Sequence, residues 1–174
     1  MPQTSADLTR KVAEYFLRRS AFSERFSARR VVCNDATGYT ISMADSQNII
    51  MIIEDDPFLS SILKAKLEKD GFQVIQAFNG EEAMTKLRET SPGLVILDLI
   101  MPKMSGFEVL QAISIDPQLN KIPVVVVSNL GQQDDVAKAK GFGAIDYFIK
   151  MRMSVDDLIV KIRDIITTRR IAKQ

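Results

Sequence analysis

Four chemically capable groups stand where short apolar runs end. Asp98 closes Leu94-Val95-Ile96-Leu97, and Glu54-Asp55-Asp56 closes Ile49 to Ile53. Ser128-Asn129 closes Ile122 to Val127, and Lys150 closes Ala144 to Ile149. Wholly apolar runs of this length are the pattern of strands covered on both faces. Open α/β sheets put their chemistry at the carboxyl ends of such strands. Brought together, Glu54, Asp55 and Asp98 carry a charge of about −3, and like charges that close disfavour one another's ionisation. A divalent cation and the Lys150 ammonium bring the sum near zero. The donors are hard oxygens, which suits Mg²⁺, with Mn²⁺ as a substitute. Mg²⁺ takes one or two carboxylates, keeps water and accepts phosphate oxygen, so a phosphoryl group is the natural further ligand. Its transfer needs positioning and charge neutralisation more than covalent machinery.

Composition narrows the chemistry further. The chain has no histidine, which removes imidazole acid–base catalysis and most transition-metal sites. The single cysteine, Cys33, allows no internal disulfide and fits a reducing compartment. A net charge of +1 in 174 residues gives no argument for nucleic acid or a membrane surface. No apolar stretch approaches the roughly 20 residues of a membrane helix. The expectation is a cytoplasmic protein with carboxylate chemistry and neither nucleic acid nor membrane as partner.

The elements that must position these groups alternate regularly. Between the strands, the pattern predicts helices over Pro57 to Asp70, Gly80 to Glu89, Phe107 to Ile115 and about Gln132 to Lys140. A further strand spans Phe72 to Phe78, and a long helix closes the domain from Val155 to about Ile171. Asp55 or Asp56 can cap the first helix, and Pro57 suits its first turn. Met151 and Met153 read as packing residues, Gly141 and Gly143 as loop glycines. Five strands alternating with five helices at roughly 20 to 28 residues per unit indicate a doubly wound five-stranded parallel sheet. In the flavodoxin-like (βα)5 order 2-1-3-4-5, strand two is an edge and ends in Ala77-Phe78, without chemistry. The other four polar ends converge on the switch point between strands one and three.

Residues 1–46 differ in character. Up to Ser42 arginine outnumbers lysine six to one, whereas lysine prevails eleven to five from Met43 onward. Leu8, Val12, Tyr15, Phe16, Phe22 and Phe26 give some helical periodicity. Three readings compete: a targeting peptide, an amphipathic helix for a partner, or a poorly ordered extension, even one translated upstream of a start at Met43. Asp7, Glu14 and Glu24 argue against the first, and the third is favoured. The domain proper is expected over residues 47–172.

Four stretches together carry a resemblance. Ile52-Ile53-Glu54-Asp55-Asp56-Pro57, Leu97-Asp98-Leu99-Ile100-Met101-Pro102-Lys103-Met104-Ser105-Gly106-Phe107-Glu108, Val126-Val127-Ser128 and Asp146-Tyr147-Phe148-Ile149-Lys150 look like the receiver domain of bacterial response regulators, chemotaxis receivers among them. By that resemblance Asp98 accepts a phosphoryl group from a sensor histidine kinase or a histidine phosphotransfer protein. Asp55 binds Mg²⁺ directly, Glu54 binds it through water, and the Ile100 carbonyl is a further ligand. Ser128 and Lys150 hold phosphoryl oxygens, Tyr147 is the switch aromatic that turns inward once the hydroxyl moves, and Pro102 and Gly106 shape the loop. Asp56 is left with a capping role.

Two departures from the family stand beside these matches. Met151 follows the lysine where proline is usual, and a non-proline cis bond costs about 2.5–4 kcal/mol, so a trans loop is expected. Asn129 follows the serine where a small residue is usual. With Ile100 and Leu130 lining the approach to Asp98, the expectation is slow loss of the phosphoryl group.

The chain stops soon after the closing helix, which reads as a stand-alone receiver signalling by protein–protein contact to an unknown target. The face of helix four, strand five and helix five is the expected contact. The alternatives are a phosphorelay intermediate passing the group to a histidine phosphotransfer protein, and a phosphorylation-independent scaffold. An enzyme acting on other substrates is disfavoured. A Mg²⁺-dependent phosphatase would need a second Asp two residues after Asp98, and Ile100 occupies that position.

Overall fold

The computed structural model describes residues 48–171, and the expectations for residues 1–46 lie outside them. Each apolar run becomes a strand: β1 Ile49–Ile53, β2 Gln73–Ala77, β3 Leu94–Leu97, β4 Val124–Ser128 and β5 Asp146–Ile149. Five α-helices alternate with them: α1 Pro57–Lys69, α2 Gly80–Thr90, α3 Gly106–Ile115, α4 Gln133–Gly141 and α5 Val155–Ile171. A single 3₁₀ turn, Lys150–Arg152, joins β5 to α5. All pairings are parallel and the order is β2-β1-β3-β4-β5, as expected.

Alternation along each strand divides the core in two. Met51, Ile53, Val95, Leu97, Val124 and Val126 pack with Ala83, Leu87, Val109, Leu110, Ile113 and Ala139 of α2, α3 and α4. Ile50, Ile52, Leu94, Ile96, Val125 and Val127 face the other way, onto Leu63, Leu67, Leu158, Ile159, Ile162 and Ile166 of α1 and α5. Ion pairs from Lys66 to Asp156 and from Arg163 to Asp70 tie α5 to α1. No helix among the described residues is long and apolar enough to cross a membrane.

Three strands are shorter than their apolar runs, because N–H groups at the margins are committed elsewhere. Phe72 N–H donates to the Leu67 carbonyl, Ile122 N–H to Leu119, and Ala144 N–H to Ala139. Phe78 N–H donates to the Glu82 carboxylate at 2.9 Å. Each bond closes a turn or a helix end. Gly141 falls inside α4 as its last residue, whereas Gly143 adopts φ +92°, a conformation that favours glycine.

The helix starts are built by side chains. Asp56, rather than Asp55, caps α1 by accepting from Phe58 N–H at 2.8 Å and Leu59 N–H at 3.3 Å, with Pro57 in the first turn. Asp55 is thereby left free of a local structural duty. Ser105 and Glu108 form a reciprocal capping box at α3, which anchors the loop that follows Asp98.

Candidate functional site

The pairings of β1 with β3 and with β2 each continue one residue past the strands. Asp98 N–H donates to the Ile53 carbonyl at 2.9 Å, and Glu54 N–H donates to Ala77 at 3.0 Å. Both acids are therefore fixed by main-chain bonds at the carboxyl edge of the sheet. Glu54 is 3% exposed and Asp98 5%, while Asp55 faces solvent. Ligand oxygens of the three lie within 4.8 Å of one another.

Lys150 reaches into this cluster from the far side of the sheet. Its Nζ donates to Asp98 Oδ2 at 2.5 Å and to both Glu54 oxygens at 2.8 and 2.7 Å. The lysine side chain is 15% exposed. Three carboxylates against one ammonium leave −2, a charge that one divalent cation would balance. The donor set is all carboxylate oxygen, without His or Cys, and it fits Mg²⁺ or Mn²⁺.

Burial pushes the Glu54 carboxyl above the ordinary glutamate range, against the bonds and charge of Lys150, with the Asp98 charge adding to the rise. Burial would lower Lys150, but the bonds and charges of Asp98 and Glu54 outweigh it and raise the ammonium above the usual lysine value. Lys150 is accordingly a fixed positive charge at any physiological pH.

The loop after Asp98 is shaped by close approach. Asp98 Oδ1 accepts from Ile100 N–H at 3.1 Å, and Gly106 N–H donates to the Leu99 carbonyl at 3.1 Å. A Cβ on Gly106 would fall inside the Asp98 carbonyl oxygen, so only glycine fits. Pro102 is exposed, and its carbonyl accepts from Met104 N–H at 2.9 Å around Lys103, whose φ is +66°.

Ser128 ends β4, fully buried, with its Oγ accepting from Leu130 N–H at 3.4 Å. Tyr147 is half-buried and its hydroxyl donates to the Leu130 carbonyl at 2.8 Å. Burial raises the tyrosine's pKa, helped by the Asp135 charge. The structure thus gathers Glu54, Asp55, Asp98 and Lys150 in one cluster, and joins Ser128 and Tyr147 beside it through Leu130.

One sequence expectation is corrected beside this cluster, the packing role of Met151. Met151 is 86% exposed and packs on nothing, because the 3₁₀ turn directs it to solvent; Met153 does pack against the α1–α5 core. Leu130 is half-buried against the other core layer, while Ile100 is 53% exposed at the edge of the site. The bidentate bond between Glu54 and Lys150 was not foreseen. The one signal for it is the extra methylene of a glutamate where aspartate would also serve as a ligand.

Residues 50–163 match the response regulator receiver domain family. The chain belongs to that family. It is 36% identical to protein PilH of Pseudomonas aeruginosa over 101 residues, covering 58% of this chain and 84% of that one. It is 35% identical to the DNA-binding dual master transcriptional regulator RpaA of a Synechocystis strain, over 66% of this chain and 47% of that protein. The chain spans about half the length of several such relatives, including the phosphate regulon regulator PhoB of Rhizobium meliloti, at 50%. Among solved structures, the receiver domain of a signal transduction histidine kinase from Syntrophus aciditrophicus superimposes with a TM-score of 0.62. It is 32% identical and covers 69% of this chain and 90% of that one. The Mn²⁺-bound form of response regulator Rcp1 gives 0.59 at 31% identity, over 67% and 90%. Against this family background the receiver keeps a trans bond after Lys150, since no described peptide bond is cis.

Proposed function

We propose that this receiver accepts a phosphoryl group on Asp98 and signals by protein–protein contact in a two-component system. The observation that carries the reading is the buried Asp98 carboxylate, 2.5 Å from the Lys150 ammonium and within 4.8 Å of the Glu54 and Asp55 carboxylates. An Asp98 oxygen forms a bond to phosphorus while the bond from phosphorus to the donor breaks. The electron pair leaves with the donor, which is the imidazole of a phosphohistidine in a sensor kinase or a histidine phosphotransfer protein.

Asp55, Asp98, Glu54 and the Ile100 carbonyl would hold Mg²⁺, or Mn²⁺ in its place. When bound, the cation supplies charge neutralisation for the phosphoryl oxygens. Lys150 keeps a permanent positive charge beside the acceptor. Ser128 gives up its bond from Leu130 N–H to meet a phosphoryl oxygen, and Tyr147 follows the loop that Leu130 belongs to. Phosphorylation then biases two conformations of that loop. The protein acts in the cytoplasm on a protein target, and it is not an enzyme toward other substrates. Ile100 stands where a phosphatase of this chemistry would need a general acid.

The test is labelling with acetyl phosphate and Mg²⁺, followed by hydroxylamine. An acyl phosphate on Asp98 is cleaved by hydroxylamine at neutral pH, and peptide mapping then places the hydroxamate at Asp98. A hydroxylamine-stable label would point to a phosphoester on Ser128 and contradict the reading.

A further inference from the structure

The loop that follows Asp98 rests on the start of α2, a helix that contributes no group to the acid cluster. Gly80 is the first residue of α2 and is buried. Its φ lies outside the left-handed region, so space rather than conformation calls for glycine there. A Cβ would lie 2.5 Å from the Met104 carbonyl oxygen, 2.7 Å from Met104 Cβ and 2.8 Å from Val109 Cγ2. Two of these three obstacles belong to the loop, and the nearest is main chain.

A methyl group at Gly80 must displace one side of this contact, and the two sides differ in stiffness. The start of α2 is tied to the end of β2. Asn79 accepts from Glu82 N–H at 3.0 Å, and Glu82 accepts from Phe78 N–H at 2.9 Å. Lys86 donates at 2.6 Å both to Glu82 and to the Gln76 carbonyl. Ala83 and Leu87 behind them are fully buried. The loop is held by short-range bonds, from Ile100 N–H to the Asp98 carboxylate and from Met104 N–H to the Pro102 carbonyl. Ile100, Pro102 and Lys103 are exposed, and Lys103 adopts a φ of +66°. The loop is therefore the side that yields.

We propose that Gly80 is a positioning residue for the acceptor loop: Met104 is seated on its bare backbone, and that seat sets where the Ile100 carbonyl stands beside Asp98. The inference rests on the cation-binding reading above and extends it to a helix outside the cluster.

The experiment is calorimetric titration of the full chain with Mg²⁺ alone, joined to amide exchange of the cation-free chain read by NMR. Gly80→Ala should weaken Mg²⁺ binding about tenfold, the low end for loss of a support behind a metal ligand. Exchange should quicken at Ile100 and Met104 and keep its wild-type rate at Glu82 and Ala83, whose N–H groups bond to Asn79. Ala83→Gly weakens the same helix without adding an atom, and it should keep the wild-type affinity. Unchanged affinity in Gly80→Ala, or an equal loss in Ala83→Gly, overturns the proposal. If circular dichroism shows Gly80→Ala unfolded, Val109→Ala is added to clear the obstacle on α3, and the pair is compared with Val109→Ala alone. The weakening should persist, because the Met104 carbonyl and Cβ remain in the way; equal affinities overturn the seat. If wild type binds no Mg²⁺, the cation reading fails and exchange alone judges the seat, with unchanged rates at Ile100 and Met104 overturning it.

Discussion

The hydroxyl of Tyr147, on the edge strand β5, donates to the main-chain carbonyl of Leu130 at 2.8 Å, in the loop that follows β4. Leu130 N–H in turn donates to the Ser128 hydroxyl at 3.4 Å. One residue thus links the buried serine beside the acid cluster to an aromatic ring on the next strand. Neither link is visible in strand patterns, yet together they hold the loop that must move if Ser128 is to meet a phosphoryl group.

Tyr147→Phe removes the hydroxyl and leaves the Leu130 carbonyl without its partner. The expected loss is about 1 kcal/mol of stability in urea denaturation. Amide hydrogen exchange should be faster from Asn129 to Gln133. Unchanged exchange there would show that the bond does not hold the loop.

Gly106→Ala puts a methyl group into the carbonyl of Asp98 and the Cα of Leu99. Both obstacles are main chain, so relaxation must displace the acceptor loop itself. We expect a loss of about 3 kcal/mol, at the upper end for overpacking, together with slower acetyl phosphate labelling. A variant as stable as wild type would mean that the loop yields freely.

Acid sensitivity follows from Glu82, whose carboxyl is held below the ordinary glutamate range by its bond to Lys86 and by Phe78 N–H. For a depressed acid the stabilisation is complete above the unfolded-state value and is lost as pH falls through the folded value. Glu108 and Asp157, bonded to Ser105 and Ser154, shift in the same direction. Glu54 opposes them, because its raised value favours the fold when protonated and that contribution disappears as pH rises. Thermal midpoints should therefore fall below about pH 4.5, and Glu82→Gln should flatten that limb. An acid limb as steep as that of wild type would contradict the assignment.

Leu130→Glu places a carboxylate at a half-buried apolar position beside the proposed phosphoryl site. A polar group there can orient attacking water, so the phosphorylated variant should lose its label several-fold faster than wild type. An equal or longer lifetime would remove the expectation that Leu130 slows hydrolysis.

The fold was legible because parallel strands buried on both faces leave unbroken apolar runs, and Ile49–Ile53 and Leu94–Leu97 match theirs to the residue. The run from Ile122 overstated its strand because periodicity does not record where an N–H is committed, and Ile122 N–H is taken by Leu119. The acid cluster was legible for a related reason: strand ends fix direction, so Glu54 and Asp98 had to converge. What joins Lys150 to Glu54 was not legible, since it depends on side-chain reach across 96 residues of sequence. Met151 was misjudged because an apolar residue beside a helix start carries no sign of which way a 3₁₀ turn will point it.

The central claim is that Asp98 is the phosphoryl acceptor, and intact-mass measurement after incubation with acetyl phosphate and Mg²⁺ tests it most directly. Wild type should gain about 80 Da, the mass of one phosphoryl group, only when the cation is present, and Asp98→Asn should gain nothing. No Mg²⁺-dependent gain in wild type, or an undiminished gain in Asp98→Asn, would contradict the account.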